Sequence, residues 1–187
     1  FEYIGDHLMS TLSVTTLTGL STSPTPTKIE VASGHTLDAS NGLTTPAGHV
    51  IQVVNATTTT AVADTSTSYV STGLTASITP SNANNKIFVT FSTPIYKGIG
   101  NAHAITTIFR GTVSGTNLGH ANWGFGAHYE PSNSDDSMSV NAGSILDSPN
   151  TTSSQTYTVA MRSNTGVSIT AQSNSGMGTI TLMEIAQ

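Results

Sequence analysis

The 187-residue sequence has no cysteine and only five lysines and arginines in total. Without cysteine there are no disulfide staples and no thiolate metal sites. Lys28, Lys86, Lys97, Arg110 and Arg162 are scattered along the chain, and the formal net charge is −5. A duplex-binding protein neutralises phosphates with several Lys or Arg side chains, so nucleic acid is not an expected partner. Charged residues of both signs make up 8% of the chain, where an ordinary soluble domain has about 25%. No stretch approaches the roughly 18 apolar residues of a membrane-spanning helix, so membrane insertion is not expected. Phe1 to Met9 lacks a positive n-region and an apolar core, so it is not expected to act as a secretory signal, and Met9-Ser10 is a candidate native start.

Ser, Thr, Asn and Gly fill the space that charge leaves. Thr-rich, Lys-poor and Glu-poor composition favours strands, because β-branched side chains pack well on a pleated surface and good helix formers are scarce. No segment with helical periodicity exceeds two turns. Residues 10–46 carry tiny strand-like runs, such as Lys28-Ile29-Glu30-Val31-Ala32, between turn signals such as Thr22-Ser23-Pro24-Thr25-Pro26. Strands so short bury a core only when several chains wrap about a common axis; a disordered linker is the competing reading.

Beyond residue 46 the pattern strengthens. His49 to Val54 reads as a buried strand, and Asn55 to Thr65 as a polar, Thr-rich stretch. Ser68-Tyr69-Val70 and Leu74 to Ile78 alternate with period two. Lys86 to Ser92 puts Ile87, Val89 and Phe91 on one face, and Ile105, Thr107 and Phe109 share a face in the next strand. Residues 111–136 read as loops, and Ser144 to Pro149 closes that region. Thr156 to Met161, Val167 to Ala171 and Thr179 to Ile185 finish the chain as three strands. Short strands at roughly 8–12-residue spacing predict an antiparallel sandwich, jelly-roll-like, over residues 47–187, preceded by a short-strand attachment or shaft segment over 1–46. The last strand is apolar on both faces. One face serves the core. The other, with Thr181, Met183 and Ile185, predicts contact with a neighbouring subunit.

An ordered set of pieces carries a family resemblance. It runs Gly48-His49-Val50-Ile51-Gln52-Val53-Val54, Gly73-Leu74-Thr75-Ala76-Ser77-Ile78-Thr79-Pro80-Ser81, Asn85-Lys86-Ile87, Phe109-Arg110-Gly111, Leu146-Asp147-Ser148-Pro149, Thr156-Tyr157-Thr158-Val159 and Ile180-Thr181-Leu182-Met183-Glu184-Ile185. Together these resemble a C-terminal domain of tail-fibre and related structural proteins of marine and cyanobacterial phages. The resemblance spans roughly 46–187. It implies a virion protein with a β-sandwich tip, a homotrimer, partnered by other virion proteins and exposed outside the cell after host lysis. It brings no catalytic motif and leaves tail fibre, head fibre and decoration open.

Candidate recognition residues concentrate in two segments. Tyr96 to His103 and Gly119 to Glu130 hold the single tryptophan and several aromatic and imidazole rings. Aromatic faces beside Asn, His and Glu suit sugars, because pyranose C–H bonds stack on the ring while polar neighbours bond the hydroxyls. Tyr96, His103, Trp123, Phe125, His128, Tyr129 and Glu130 are therefore the candidate contacts to a host-surface glycan. The competing reading puts Trp123, Phe125 and Tyr129 in the core of one more strand. His120 and His128 with Asp135-Asp136, a three-fold ring of His103, and a calcium turn at Ser134 to Ser137 are weak metal patterns, and neither a metal nor a cofactor is expected. No GxSxG elbow occurs. Glu130 with Asp135 or Asp147 is the acid pair a glycosidase reading would need. The expectation is a non-enzymatic adhesion module; a capsid or tail decoration protein and a polysaccharide-degrading tailspike are the alternatives.

Overall fold

The computed structural model describes residues 46–131 and 135–187. The short-strand shaft expected over residues 1–46 lies outside the described residues, save Pro46, as does Ser134 of the calcium turn.

The strands are β1 (Val50–Thr58), β2 (Val62–Asp64), β3 (Val70–Ile78), β4 (Lys86–Lys97), β5 (Ala102–Arg110), β6 (Thr116–Asn117), β7 (Gly126–Glu130), β8 (Ser137–Asp147), β9 (Gln155–Ser163), β10 (Ile169–Ala171) and β11 (Gly178–Ile185). All pairings among them are antiparallel. In the first sheet β1 and β2 form one edge. They pair with β11 and β10, which pair with β4, whose far side takes β8. In the second sheet β3 pairs with β9, β9 with β5, and the far side of β5 takes β6 and β7. With β1/β2, β6/β7 and β10/β11 each counted as one position, the orders are 1-8-3-6 and 2-7-4-5. This is a two-sheet jelly roll. Among the described residues the sole helical feature is a 3-10 turn at Ser173–Ser175, and no helix is long and apolar enough to cross a membrane.

The period-two pattern explains most of the core. Leu74 and Ile78, Ile87, Val89 and Phe91, Tyr157 and Val159, and Ile180 and Leu182 point between the sheets and are buried. Burying each such side chain stabilises the fold by roughly 1.5–3 kcal/mol. The other half of the sandwich is thinner. Its cluster is Ile95, Ala104, Met161, Ile169 and Ala171, and polar groups fill the remainder. Buried Asn141 on β8 donates to Ala104 O at 3.1 Å and Thr106 Oγ1 at 3.2 Å on the opposite sheet. The buried Lys97 ammonium donates to Gly98 O at 2.9 Å and Gly100 O at 2.6 Å.

Registers define two ends. At the proximal end lie the starts of β1 and β4 and the ends of β8 and β11. The chain enters here, where Gly48 N donates to Ala186 O and Ala186 N to His49 O. Buried Glu184 holds this end together. It accepts from Gln52 Nε2 (2.6 Å), Ser81 N (2.7 Å), Ser81 Oγ (2.7 Å) and Asn85 Nδ2 (2.6 Å). Burial pushes its pKa up, but these donors outweigh burial and hold the carboxyl below the usual glutamate value. Asp147 ties the sheets together nearby, accepting from Arg110 Nη1 at 3.1 Å and from Tyr157 Oη at 2.7 Å. Burial, reinforced by Asp147, drives the Tyr157 phenol far above its ordinary pKa. The distal end carries the 97–102 and 163–169 connections, the end of β7 and the start of β8. Twelve residues of β4 at about 3.3 Å each put the two ends roughly 35 Å apart.

Several strands differ from the sequence reading. β1 runs on through the polar Asn55 to Thr58, because Ala56 and Val54 pack inward while the alternate residues face solvent. Val70 and the run at 74–78 belong to one strand, while Ser68 and Tyr69 precede it, and a register shift between Ser71 and Thr75 is accommodated by Gly73 at φ +78°. β4 passes straight through Pro94. Proline lacks a donor, and its N faces the gap between β11 and β10, where no ladder bond is required; its carbonyl accepts from Gln172 N at 2.9 Å.

Candidate functional site

The two broad outer faces differ. Across the first sheet, register aligns Val53, Met183, Phe88 and Leu146 on one row crossing all four strand positions. Val50 and Ile185 flank it, and Met138, Val140, Pro94 and Tyr96 form a second apolar group toward the distal end. Thr181, Thr90 and Ser144 lie between. Lys86 is the charged residue aligned on this face. Val50, Val53, Met138, Val140 and Leu146 are exposed large apolar side chains. Thr181, Met183 and Ile185 thus occupy the outer side of β11, with Ile180 and Leu182 in the core.

The outer face of the second sheet is roofed over β5, while Ser71, Thr75 and Ser77 on β3 stay exposed. Ile105, Thr107 and Phe109 do share a face, and it looks outward, while Ala104 and Ile108 face the core. Residues 111–125 fold back over them. Thr107 Oγ1 donates to Asn117 Oδ1 at 2.6 Å, Leu118 N to Ile108 O at 2.9 Å, and Phe125 N to Thr106 O at 2.9 Å. A reciprocal pair of backbone bonds between His120 and Gly124 closes the turn that presents Trp123. Gly124 (φ +56°) is needed there, since a Cβ would collide with the Thr106 carbonyl. His120 Nδ1 accepts from Asn122 N and Trp123 N at 3.2 and 3.1 Å, so this imidazole stiffens the turn.

Three expected recognition residues converge at the distal end. His103 on β5 and Tyr129 on β7 are direct cross-strand partners, with rings stacked at 4.2 Å and 16°. Trp123 meets the His103 ring edge-on at 4.9 Å and 79°. Trp123 is 49% exposed and Tyr129 44% exposed, which favours a surface role over burial for both. The arrangement offers two aromatic faces held by a third ring, a surface suited to the C–H faces of sugars.

The other four do not join them. Phe125 turns inward, edge-on to Phe91 at 6.3 Å and against the main core, over Gly143, where a Cβ would crowd it. For Phe125 the core reading is therefore the right one, because an i+2 step from Trp123 passes through the Gly124 kink. His128 faces between the sheets and its Nε2 lies 2.7 Å from Ser137 Oγ. Burial, then the Lys97 charge, lowers its pKa, with Glu130 opposing. Tyr96 lies on the first sheet's outer face and donates to Asp136 at 2.7 Å; that bond, with burial, raises its phenol pKa. Glu130 ends β7 opposite Ala102. Glu130 is at the distal end and Asp147 at the proximal end, separated by the nine residues of β5 from Ala102 to Arg110, or roughly 25 Å. That separation exceeds the about 5–9.5 Å of glycosidase carboxyl pairs, so these two do not form such a pair. Among the described residues no cluster of three or more His, Asp or Glu has metal-holding geometry.

Sequence reasoning missed Tyr69 and Arg162, which flank the roof. With Phe109, Val113 and Ala121 they line an open depression of about 310 Å³. Arg162 Nη1 donates to Thr67 O at 3.0 Å and Nη2 to Asn122 O at 2.6 Å, and its guanidinium lies 5.3 Å over the Tyr69 ring. Tyr69 packs edge-on against Phe109 at 5.6 Å. Burial raises the Tyr69 pKa, with Arg162 opposing in part. The available signal was position. Met161 and Val159 face the core, so Arg162 must face out.

No known protein family and no curated protein is matched by the sequence. A solved structure of the infectious bursal disease virus VP2 subviral particle is similar at a TM-score of 0.38 and 8% identity, over 82% of this chain. This chain spans 42% of that chain's length.

Proposed function

We propose that this chain is a non-enzymatic virion structural module of a bacteriophage. In this reading it is a homotrimeric tail-fibre or appendage tip that meets host-surface glycan with its distal end. The observation that carries the reading is the opposition of ends. The chain enters at Gly48 and His49, and the His103, Trp123 and Tyr129 rings sit roughly 35 Å away along the strands. An adhesin attached through its preceding segment presents its far end to the cell. The resemblance over residues 46–187 supplies the phage and virion context.

The partner for the bare outer face of the first sheet is a second and third copy of this chain. The face carries two exposed apolar groups separated by Asn55, Thr181, Thr90 and Ser144, with Lys86 and the Tyr96-bonded Asp136 as its charges, and the exposed apolar side chains suit a partner better than solvent. Four strand positions at about 4.8 Å and a length of about 35 Å give a face of roughly 700 Å², or about 350 Å² toward each of two neighbours, which is less than the about 800 Å² per partner of a stable interface, so the preceding segment has to contribute to the trimer as well. The roofed second sheet then faces outward with its aromatic rings accessible.

The test is adsorption. Trp123→Ala and Tyr129→Ala, each retaining the wild-type sedimentation coefficient, should reduce binding of the protein to host cells at least tenfold. Unchanged adsorption in both would overturn the adhesion reading and favour decoration. Release of reducing ends from host envelope glycans would favour the polysaccharide-degrading alternative.

A further inference from the structure

We propose that the depression between Tyr69 and Arg162 is a subsite for the carboxylate of an acidic sugar, adjoining the aromatic rings. This deepens the glycan-binding reading and rests on it. Arg162 has five N–H donors, and two of them bond Thr67 O and Asn122 O. Its Nε and the Tyr69 hydroxyl are buried without a partner in hydrogen-bond geometry, and the hydroxyl lies close enough to Arg162 for the guanidinium to lower its pKa against the effect of burial. Among the described residues no carboxylate lies within ion-pair distance of Arg162, and no acid lines the depression. A fixed cation of this kind, with donors left over, is complementary to an anion. The planar guanidinium matches a carboxylate in particular. A small side-chain movement brings the buried donors to a ligand, as is common at binding surfaces.

Position ties this depression to the rings. Arg162 is the cross-strand partner of Ile105, on the same outward face as His103 two residues along. One strand spacing and two residues amount to about 8 Å between backbones, the scale of neighbouring sugar units. Asn122, whose carbonyl caps the guanidinium, directly precedes Trp123. One pyranose on Trp123 and Tyr129 therefore places the next over Tyr69, within reach of Arg162. The volume, about 310 Å³, is at the small end of ligand pockets, and its wall of Phe109 and Val113 receives the ring's apolar face.

The experiment measures binding of the intact chain to tetrasaccharides of alginate, galacturonate, hyaluronan and sialic acid, each beside its carboxyl-reduced form. The wild type should prefer at least one acid form by roughly tenfold, the worth of one charge-assisted contact. Arg162→Gln should erase that preference. Arg162 also pins two loops, so Tyr69→Phe is the second variant; it removes only the hydroxyl beside Arg162, keeps the ring under the guanidinium, and should weaken the preference with little loss of thermal stability. Trp123→Ala should weaken acid and reduced forms alike. Equal binding of both forms by the wild type overturns the acidic subsite and leaves glycan binding intact. Binding of neither, or a preference that survives both Arg162→Gln and Tyr69→Phe, also overturns it. Failure of the adhesion reading itself shows separately, as adsorption that Trp123→Ala leaves unchanged.

Discussion

Glu184→Gln tests the polar lock at the proximal end. The native carboxylate accepts four hydrogen bonds at 2.6–2.7 Å from Gln52, Ser81 and Asn85, and it is buried. A glutamine amide can keep its one oxygen on Ser81 N, Ser81 Oγ and Asn85 Nδ2, but then it turns its NH₂ group on Gln52 Nε2, and all four contacts lose the carboxylate charge. Charge-assisted bonds contribute about 1.5–3 kcal/mol each, and an orphaned buried donor costs about 1–3 kcal/mol. With partial relaxation the net loss at pH 7 should be about 3 kcal/mol. The pH dependence adds a second signature. The folded-state pKa is lowered, so this stabilisation is complete above the unfolded value near 4.5 and is lost as pH falls through the folded pKa. The wild type should therefore lose stability in acid, and its gap from Glu184→Gln should close. His128, whose pKa is also lowered, adds an acid-labile contribution from about pH 6.5 downward, common to both proteins. Urea unfolding from pH 7 to pH 3 reads the gap. A gap under about 0.5 kcal/mol at pH 7, the size of an ordinary surface substitution, refutes the lock. So does a gap that stays constant down to pH 3.

Met183→Asp puts a carboxylate in the middle of the Val53, Met183, Phe88 and Leu146 row; sedimentation velocity should show the trimer dissociated while circular dichroism stays native, and a monomeric wild type would contradict the interface. Tyr157→Phe removes one of the bonds that hold Asp147 across the sheets and should cost about 1–2 kcal/mol in thermal or urea unfolding, with no change in the distal stacking of His103 on Tyr129.

The strands with apolar residues facing inward were legible in the sequence. β4, β9 and β11 follow from alternation at Ile87, Val89 and Phe91, at Tyr157, Val159 and Met161, and at Ile180 and Leu182. β8 was not legible, because its pattern is inverted. Ser139, Asn141 and Gly143 face inward while Met138, Val140 and Leu146 face out. A polar inner face needs partners that only the tertiary structure reveals, here Ala104 O and Thr106 Oγ1 for Asn141. The site was legible in part for a related reason. His103, Trp123 and Tyr129 were identifiable as rings near turns, but whether a ring faces in or out depends on one residue of register. Phe125 lies one step past a glycine kink and falls on the other side. Tyr69 and Arg162 lie 93 positions apart in a chain of 187, and only the pairing of β3 with β9 brings them together.

The β1–β11 ladder has a mechanical consequence. Under the proposed adhesion reading, a particle held by its receptor at the distal rings and by its preceding chain at His49 would pull on β1 along its own axis. The paired residues from Val50↔Ile185 to Thr58↔Gly178 then share the load in shear, so the bonds must yield together. Pulling residue 46 against residue 187 instead applies force at one end of the same ladder and peels it bond by bond. Single-molecule extension should therefore need a higher force between residues 46 and 99 than between 46 and 187; equal forces would show that another part of the sandwich yields first. In the proposed adhesion role, this geometry would put the strong direction of the fold along the line of attachment.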